Sequence, residues 1–212
     1  MLNYIVNDDV GLQNLLENEI VDLLNKYELT WKSSLLDDIE TKAWNDLEAF
    51  ARKDPSSCNN MEYILYSYLS YKAVMAYRIA HTFYKTNKGQ SRRLSEYAKT
   101  LTGIEIHPAA EIGNRFVIDH GYGTVIGETT IIGDDCYILQ SVILGARYIA
   151  SNKIGRRHPQ LGNNVELGGF VRIYGKVNIG NNVKVSPGAV ITQSIPDNSK
   201  IIVGTKYQII KI

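Results

Sequence analysis

The sequence predicts an α+β chain. An N-terminal all-helical domain (residues 1–105) precedes a parallel β-helix of hexapeptide repeats (residues 106–195), and a short tail covers residues 196–212. Three observations carry this. Before residue 106 apolar residues recur at three- and four-residue steps, the period of one helix face. From there on they recur every six: Ile106, Ile112, Ile118, Thr124, Thr130, Cys136 and Val142, then after a break Leu161, Leu167, Ile173, Ile179, Val185 and Ile191. In the second run another apolar column, Val165, Val171, Val177, Val183, Ala189 and Ile195, follows the first, with Gly, Asn and charged residues between. Neither a helix nor a plain strand has this period, whereas stacked hexapeptide coils do. One hexad cannot bury its aliphatic residue alone. Stacking sets like positions above one another and turns the column into a core.

The elements follow in order. Leu12, Leu15, Leu16, Ile20, Leu23 and Tyr27 mark a first helix, with Asp8 or Asp9 as its cap. A second starts at Ser34 and shows Leu36, Ile39, Ala43, Leu47 and Phe50 on one face. Asp54-Pro55 ends it, because the residue before a proline is pushed out of the α region. One longer third helix runs from about Asn60 through Met61, Ile64, Tyr68, Tyr71, Met75 and Ile79. Its tyrosines read as helix packing with hydroxyls at the rim. The stretch TNKGQ breaks it, and a fourth helix over residues 91–102 stops at Gly103, a good C-terminal cap. These helices are expected to cover the first coil, whose strand edges would otherwise stay unpaired. Leu161 should follow Val142 by one hexad but follows it by just over three, which places an inserted loop over residues 146–160. The loop holds Arg147, Lys153, Arg156, Arg157 and His158, and solenoids put insertions on one face, often the binding face.

Composition narrows the function. The 212 residues carry 23 Lys and Arg against 22 Asp and Glu, a formal net charge of +1. No bulk charge points to nucleic acid or to a membrane surface. After residue 105 the count is 11 basic to 7 acidic, a tilt that suits a small anionic ligand. Cys136 stands at a core position and reads as a small hydrophobe. Two cysteines in such a chain fit a reducing compartment. No signal-peptide pattern opens the chain and no run of ~18 apolar residues is present, so the expected location is the cytoplasm.

Of the four histidines, His81 reads as helix packing and His107 as a turn filler. His120 differs: it sits in VIDHGYG beside Asp119, on a turn that can face a cleft. His158 sits in GRRHP on the inserted loop. Two turn-borne imidazoles with carboxylates and arginines nearby make a general-base constellation. Glu105 precedes His120 by two and a half hexads, half a hexad short of a three-hexad coil, which allows neighbouring edges. The chain lacks a third well-placed histidine, Cys-x-x-Cys and His-Glu-x-x-His, so no metal site is expected. It also lacks the Gly-x-Ser-x-Gly elbow and the P-loop.

Over about residues 35–195 the chain resembles the serine O-acetyltransferases, a branch of the hexapeptide-repeat acyltransferase superfamily. The likeness rests on KDPSS (53–57), YKAVMAYRIAH (71–81), IHPAAEIG (106–113), IDHGYGTVIGET (118–129), ILQSVILG (138–145) and RRHP (156–159). Hexads alone give only the superfamily. Asp-Pro, Asp-His-x-x-Gly and Arg-His-Pro in this order give the branch. The resemblance implies that the β-helix is left-handed, that the protein forms a homotrimer or a hexamer paired through the helical domains, and that acetyl-CoA donates its acetyl group to the hydroxyl of L-serine, the entry step of cysteine synthesis. By motif, His120 is the general base and Glu105 orients it. Asp119 contacts the substrate, Asp54 recognises the amino acid, and Arg157 and His158 hold its carboxylate and the developing charge. Gly145 and Gly169 line the CoA groove, and Arg172, Lys176 or Lys184 could serve at its basic mouth. The C-terminal Ile212 implies a contact with O-acetylserine sulfhydrylase.

These roles are chemically coherent. A serine hydroxyl becomes a nucleophile when an imidazole takes its proton, a carboxylate behind the imidazole fixes its tautomer, and attack on the thioester builds an oxyanion that needs donors already in place. A zwitterionic acceptor needs an acid and an arginine. The chain departs from the family's pattern at Glu105 (usually Asp), in a longer basic loop, at Phe170 and Pro187 on coil turns that are usually small, and in VGTKY where Gly-x-Pro-Ala is usual. Two alternatives stand beside the first reading: a related O-acyltransferase with another hydroxy-amino acid or acyl donor, and a non-catalytic binder of the sulfhydrylase.

Overall fold

The structure is a computed structural model that describes residues 9–148, 150 and 154–204. The expected caps Asp8 and Asp9, loop residue Lys153 and the terminal Ile212 lie outside what it describes in side-chain detail. The helices are α1 (Asp9–Lys26), α2 (Ser33–Lys53), α3 (Met61–Ser67), α4 (Leu69–Phe83) and α5 (Lys88–Thr102). α2 stops at Asp54, whose φ of −100° and ψ of 107° are the extended values a following proline imposes. α5 starts earlier than the periodicity predicts, because the Asn87 side chain caps it by accepting from the Gln90 N–H. It ends on Gly103 at φ 70°, the left-handed cap glycine favours.

The long third helix is in fact two. The chain is extended at Tyr68 (φ −91°, ψ 104°), between α3 and α4. The break loses little backbone bonding: Tyr68 N–H still donates to the Ile64 carbonyl at 2.9 Å, and its own carbonyl accepts from Lys72 at 3.1 Å. Apolar spacing continues across the break, which is why the sequence reads as one helix.

Short parallel strands stack into three sheets. Sheet 1 joins Glu105–Ile106, Val125–Ile126, Ile143–Gly145, Arg172–Tyr174 and Val190–Ile191, with Ile106, Ile126, Leu144, Ile173 and Ile191 in one inward column. This corrects the register of the first run. Ile126 stacks on Leu144 after three whole hexads, whereas the step from Ile106 to Ile126 is longer by two, and the surplus sits in the corner at residues 119–123. Thr124, Thr130, Cys136 and Val142 therefore belong to the companion column of Val165 and Val171. All four are fully buried there. Both columns face inward, so the slip keeps an apolar-looking count. Burial pushes the Cys136 thiol up to about 11.

The chain between Ile143–Gly145 of sheet 1 and Gln160–Leu161 of sheet 2 is longer than a hexad, and Gln160, expected in the loop, belongs to a strand. The strand before the loop places Leu144, not Val142, in the column that Leu161 continues, so the insertion is shorter by two than a count from Val142 gives. The repeat also runs past residue 195: Lys200–Ile201 pairs with Lys184–Val185 after a hexad shortened by two. At the corner from sheet 2 to sheet 3, Arg115, Asp135, Asn164, Asn182 and Asn198 adopt φ of 53–60°. Asparagine tolerates that region. There Asn164 donates to Asn182 (3.0 Å) and Asn182 to Asn198 (2.9 Å), one rung to the next.

The helices do cover the first coil, and they do so through polar side chains. Arg78 of α4 bonds both oxygens of Asp46 of α2 (2.7 and 3.0 Å) and the carbonyls of Ile112 (2.7 Å) and Gly113 (2.5 Å). Asp46 in turn accepts the Phe116 N–H at 2.8 Å. Both side chains are buried, and burial pushes the Asp46 carboxyl up while Arg78 pulls it down. Such a pair adds little net stability, yet removing one partner costs about 3–5 kcal/mol. Tyr77 donates to the Ala110 carbonyl (2.6 Å), Ser95 to that of Ile106 (2.7 Å), and His81 Nδ1 lies 2.9 Å from that of Pro108. His81 is thus a docking residue, as its place on a helix predicts.

Candidate active site

Two corners of the coil carry the sequence-predicted groups. The first turns from sheet 3 into sheet 1. Its insertion puts His120 at φ 57° and leaves its side chain 74% exposed, with Nε2 3.9 Å from Asp119 Oδ1. The other Asp119 oxygen accepts the Tyr137 hydroxyl at 2.8 Å. Tyr137 comes from the next rung of sheet 3, paired with Val117.

Asp54 approaches the same corner from the helical domain, where Lys53 ties the end of α2 to the Asp135 carbonyl at 2.7 Å. Asp54 is buried and receives the Tyr68 hydroxyl (2.7 Å), the Ser56 hydroxyl (2.7 Å) and the Ser56 N–H (2.9 Å). Burial lifts its carboxyl, but the hydrogen bonds from Tyr68 and Ser56, with His120 beyond them, bring it below the ordinary carboxylate value. The structure thus gathers His120, Asp119 and Asp54 on one side of the molecule.

Arg157 and His158 occupy the second corner, from sheet 1 into sheet 2, where the loop rejoins the coil. His158 is only 8% exposed. Its Nδ1 accepts the Thr129 N–H at 3.2 Å and lies 2.8 Å from Thr129 Oγ1. That oxygen accepts the N–H groups of Arg157 (2.9 Å) and His158 (3.1 Å). With an N–H donor on Nδ1, the neutral ring carries its proton on Nε2. Burial, then Arg157, hold the imidazole below its ordinary pKa and so favour that neutral ring. Gly127 lies against it: a Cβ there would stand 2.1 Å from Nε2. Arg157 bonds Glu128, whose carboxyl that bond lowers. His107 is half-buried nearby and accepts from the Ala109 N–H at 3.1 Å, a turn filler as expected.

The remaining predicted residues are dispersed. Glu105 stacks on Val125, just past the His120 corner, and its carboxylate is paired with Lys99 (3.3 Å) and Arg92 (3.6 Å). Gly145 ends a strand of sheet 1 beside the Tyr174 ring, and Gly169 sits beside Gln140 on the His120-type corner, higher up. Arg172 is exposed on sheet 1, while Lys184 is on sheet 3 and paired with Glu166 at 2.8 Å. Within one chain these four are spread over sheet 1, sheet 3 and the corner between them. A cavity of about 530 Å³ lies beside the inserted loop, lined by Arg147, Arg156, Arg157, Tyr174 and Lys176 among others. Phe170 is exposed at φ 63°, a conformation that costs a bulky residue roughly 1–2 kcal/mol.

Sequence reasoning missed Tyr68, Ser56, Tyr137, Glu128 and Thr129 as parts of the site. Ser56, two residues after Asp54, has a readable signal, since an Asp side chain commonly accepts from the backbone two residues on. The tyrosines have none.

The family model described as bacterial transferase hexapeptide (six repeats) matches residues 158–193. The serine acetyltransferase of Helicobacter pylori is 41% identical over 165 residues, 77% of this chain and 94% of that protein. The serine acetyltransferase of Synechococcus elongatus is 38% identical over 158 residues, 74% of this chain; the match spans 63% of the longer relative. The crystal structure of the Neisseria gonorrhoeae serine acetyltransferase in complex with serine superimposes with a TM-score of 0.74 at 32% identity, covering 82% of this chain and 70% of that one.

Proposed function

The chain belongs to the serine acetyltransferase family, and from that premise we propose that it transfers the acetyl group of acetyl-CoA to the hydroxyl of L-serine, giving O-acetylserine for cysteine synthesis. The observation that carries the reading is an exposed imidazole, His120, 3.9 Å from Asp119 and within electrostatic reach of the buried Asp54. Asp54 and Asp119 take the acceptor's ammonium group and Arg157 its carboxylate. His120 removes the hydroxyl proton as the oxygen attacks the thioester carbonyl. The tetrahedral oxyanion collapses, the carbon–sulfur bond breaks, and the imidazolium returns the proton to the departing thiolate. The neutral His158, protonated on Nε2, is the donor to the developing charge.

In one chain the His120 and His158 corners lie at opposite edges of sheet 1, so the complete site needs a second copy. A homotrimer with its coil axes side by side sets the His158 corner of one copy against the His120 corner of the next. It also joins Gly145 and the basic cavity beside the loop to Gly169, Arg172 and Lys184 across the cleft. Arg147, Lys176 and Tyr174 give that cavity both charge for phosphates and an apolar wall for a pantetheine chain. In this reading Glu105 orients the His120 imidazole. Pairing of trimers into a hexamer, a cytoplasmic location and capture of Ile212 by O-acetylserine sulfhydrylase complete the proposal.

The test is release of thiol from acetyl-CoA with serine, threonine or homoserine as acceptor. Serine-dependent release, lost in His120→Ala with the fold intact, supports the reading; release with another acceptor only, or none, overturns it. Phe170, held in a strained conformation on the donor side, favours one second reading, a different acyl donor. Larger acyl-CoAs offered in competition with acetyl-CoA decide between them.

A further inference from the structure

The carboxylates around His120 are each met by a tyrosine hydroxyl. Tyr68 bonds Asp54 Oδ2 at 2.7 Å, and Tyr137 bonds Asp119 Oδ2 at 2.8 Å. The two tyrosines come from different domains, one from the α3–α4 junction and one from the β-helix. The helix interruption at Tyr68 is what the first bond requires. A residue within a continuous helix keeps its side chain on that helix's surface, whereas the extended Tyr68 reaches across to the segment after α2. Its ring is fixed edge-on against Tyr63, with centroids 5.6 Å apart, and its hydroxyl is also 2.9 Å from Ser56 Oγ.

A carboxylate offers about four lone-pair sites. On Asp54 the Ser56 N–H, the Ser56 hydroxyl and Tyr68 occupy up to three. On Asp119 Tyr137 occupies one. Each acid therefore keeps room for a further donor, on the side the tyrosine leaves open.

We propose that Tyr68 and Tyr137 are positioning residues for the acceptor: their hydroxyls aim the free lone pairs of Asp54 and Asp119 at a single ammonium group beside His120. The proposal rests on the acceptor-binding reading above. It explains why a helix with continuous apolar spacing is broken at one tyrosine, and why the two acids that both act on Tyr137 each have a neutral donor already in place. The titratable groups facing Asp54 are Tyr68 from the helical domain and His120 and Tyr137 from the β-helix. Removing the Tyr68 hydroxyl takes away a donor that stabilises the ionised acid.

Tyr68→Phe and Tyr137→Phe keep the rings and remove the hydroxyls. A hydrogen bond to a charged group contributes enough to expect the KM for L-serine to rise about tenfold in each, with kcat and the KM for acetyl-CoA changed less than about twofold. In Tyr68→Phe the acid limb of kcat/KM moves to higher pH. The Asp54 carboxyl, followed by carbon NMR with no substrate present, titrates at higher pH than in the parent. An unchanged serine KM in both variants, or an unchanged Asp54 titration in Tyr68→Phe, overturns the proposal. If the parent protein fails to use serine, the functional reading falls, while the NMR titration still decides whether Tyr68 holds Asp54. A variant that loses thermal stability with no shift in that titration has revealed packing alone, which also overturns the proposal.

Discussion

The two histidine-bearing corners of the β-helix are built in opposite ways. At the corner of residues 119–123 an insertion pushes His120 outward, where its ring is largely exposed. At the other corner His158 is buried, and one threonine hydroxyl holds both its ring and the backbone N–H groups that present it. In the proposed reaction the first corner leaves a base free to meet a hydroxyl, and the second fixes a donor and its tautomer in advance. On that reading the group that exchanges protons is left loose, and the group that only has to be in place is pinned.

Four experiments break or sharpen this contrast. The largest effect is expected for His120→Ala: kcat falls by about 10³, in the range for loss of a general base, while Tm is unchanged because the exposed ring supports no packing. Next comes complementation. Co-assembling His120→Ala with Arg157→Ala subunits should restore activity at least tenfold over either parent, since a cleft between copies regains one intact His120 and one intact Arg157. Separate corners within one chain give no such rescue. Thr129→Val should act at the pinned corner on both properties. It strips the hydroxyl from the part-buried N–H groups of Arg157 and His158 and from the His158 ring, costing about 1–3 kcal/mol, so Tm drops by several degrees and kcat/KM falls about 10- to 100-fold. The smallest effect is on stability against pH. Burial holds His158, His107 and His81 below their ordinary pKa. The unfolded chain therefore binds their protons more readily, and the stability from keeping them neutral is present above about pH 6.5 and lost as pH falls below it. Thermal scans from about pH 7.5 to about pH 5.5 should show Tm declining, with a shallower slope in His158→Gln.

Much of this was legible in the chain itself, and the exceptions have physical causes. The hexad column announced the solenoid because each coil must bury the same position. The count failed at Thr124 because two inward columns stand close in sequence and a short insertion exchanges one for the other. The break at Tyr68 was invisible because backbone bonding and apolar spacing both survive it. Asp119, His120, Arg157 and His158 stood out by their neighbours. Tyr137, Thr129 and Glu128 did not, because their partners are distant in sequence and are brought near only by the stacking of rungs. Glu105 is where motif and geometry differ: in the single chain its carboxylate answers to Lys99 and Arg92.

The grip of Arg78 on Asp46 and on the first rung gives the solenoid a direction of failure. The second turn keeps one tie to the helices, from Lys53 to the Asp135 carbonyl, and the turns beyond it stack on one another, so tension on the far end unwinds the stack one triangle at a time. At the near end nothing comes loose until a guanidinium is dragged out of the interior with its carboxylate, and from there helices and first rung must let go together.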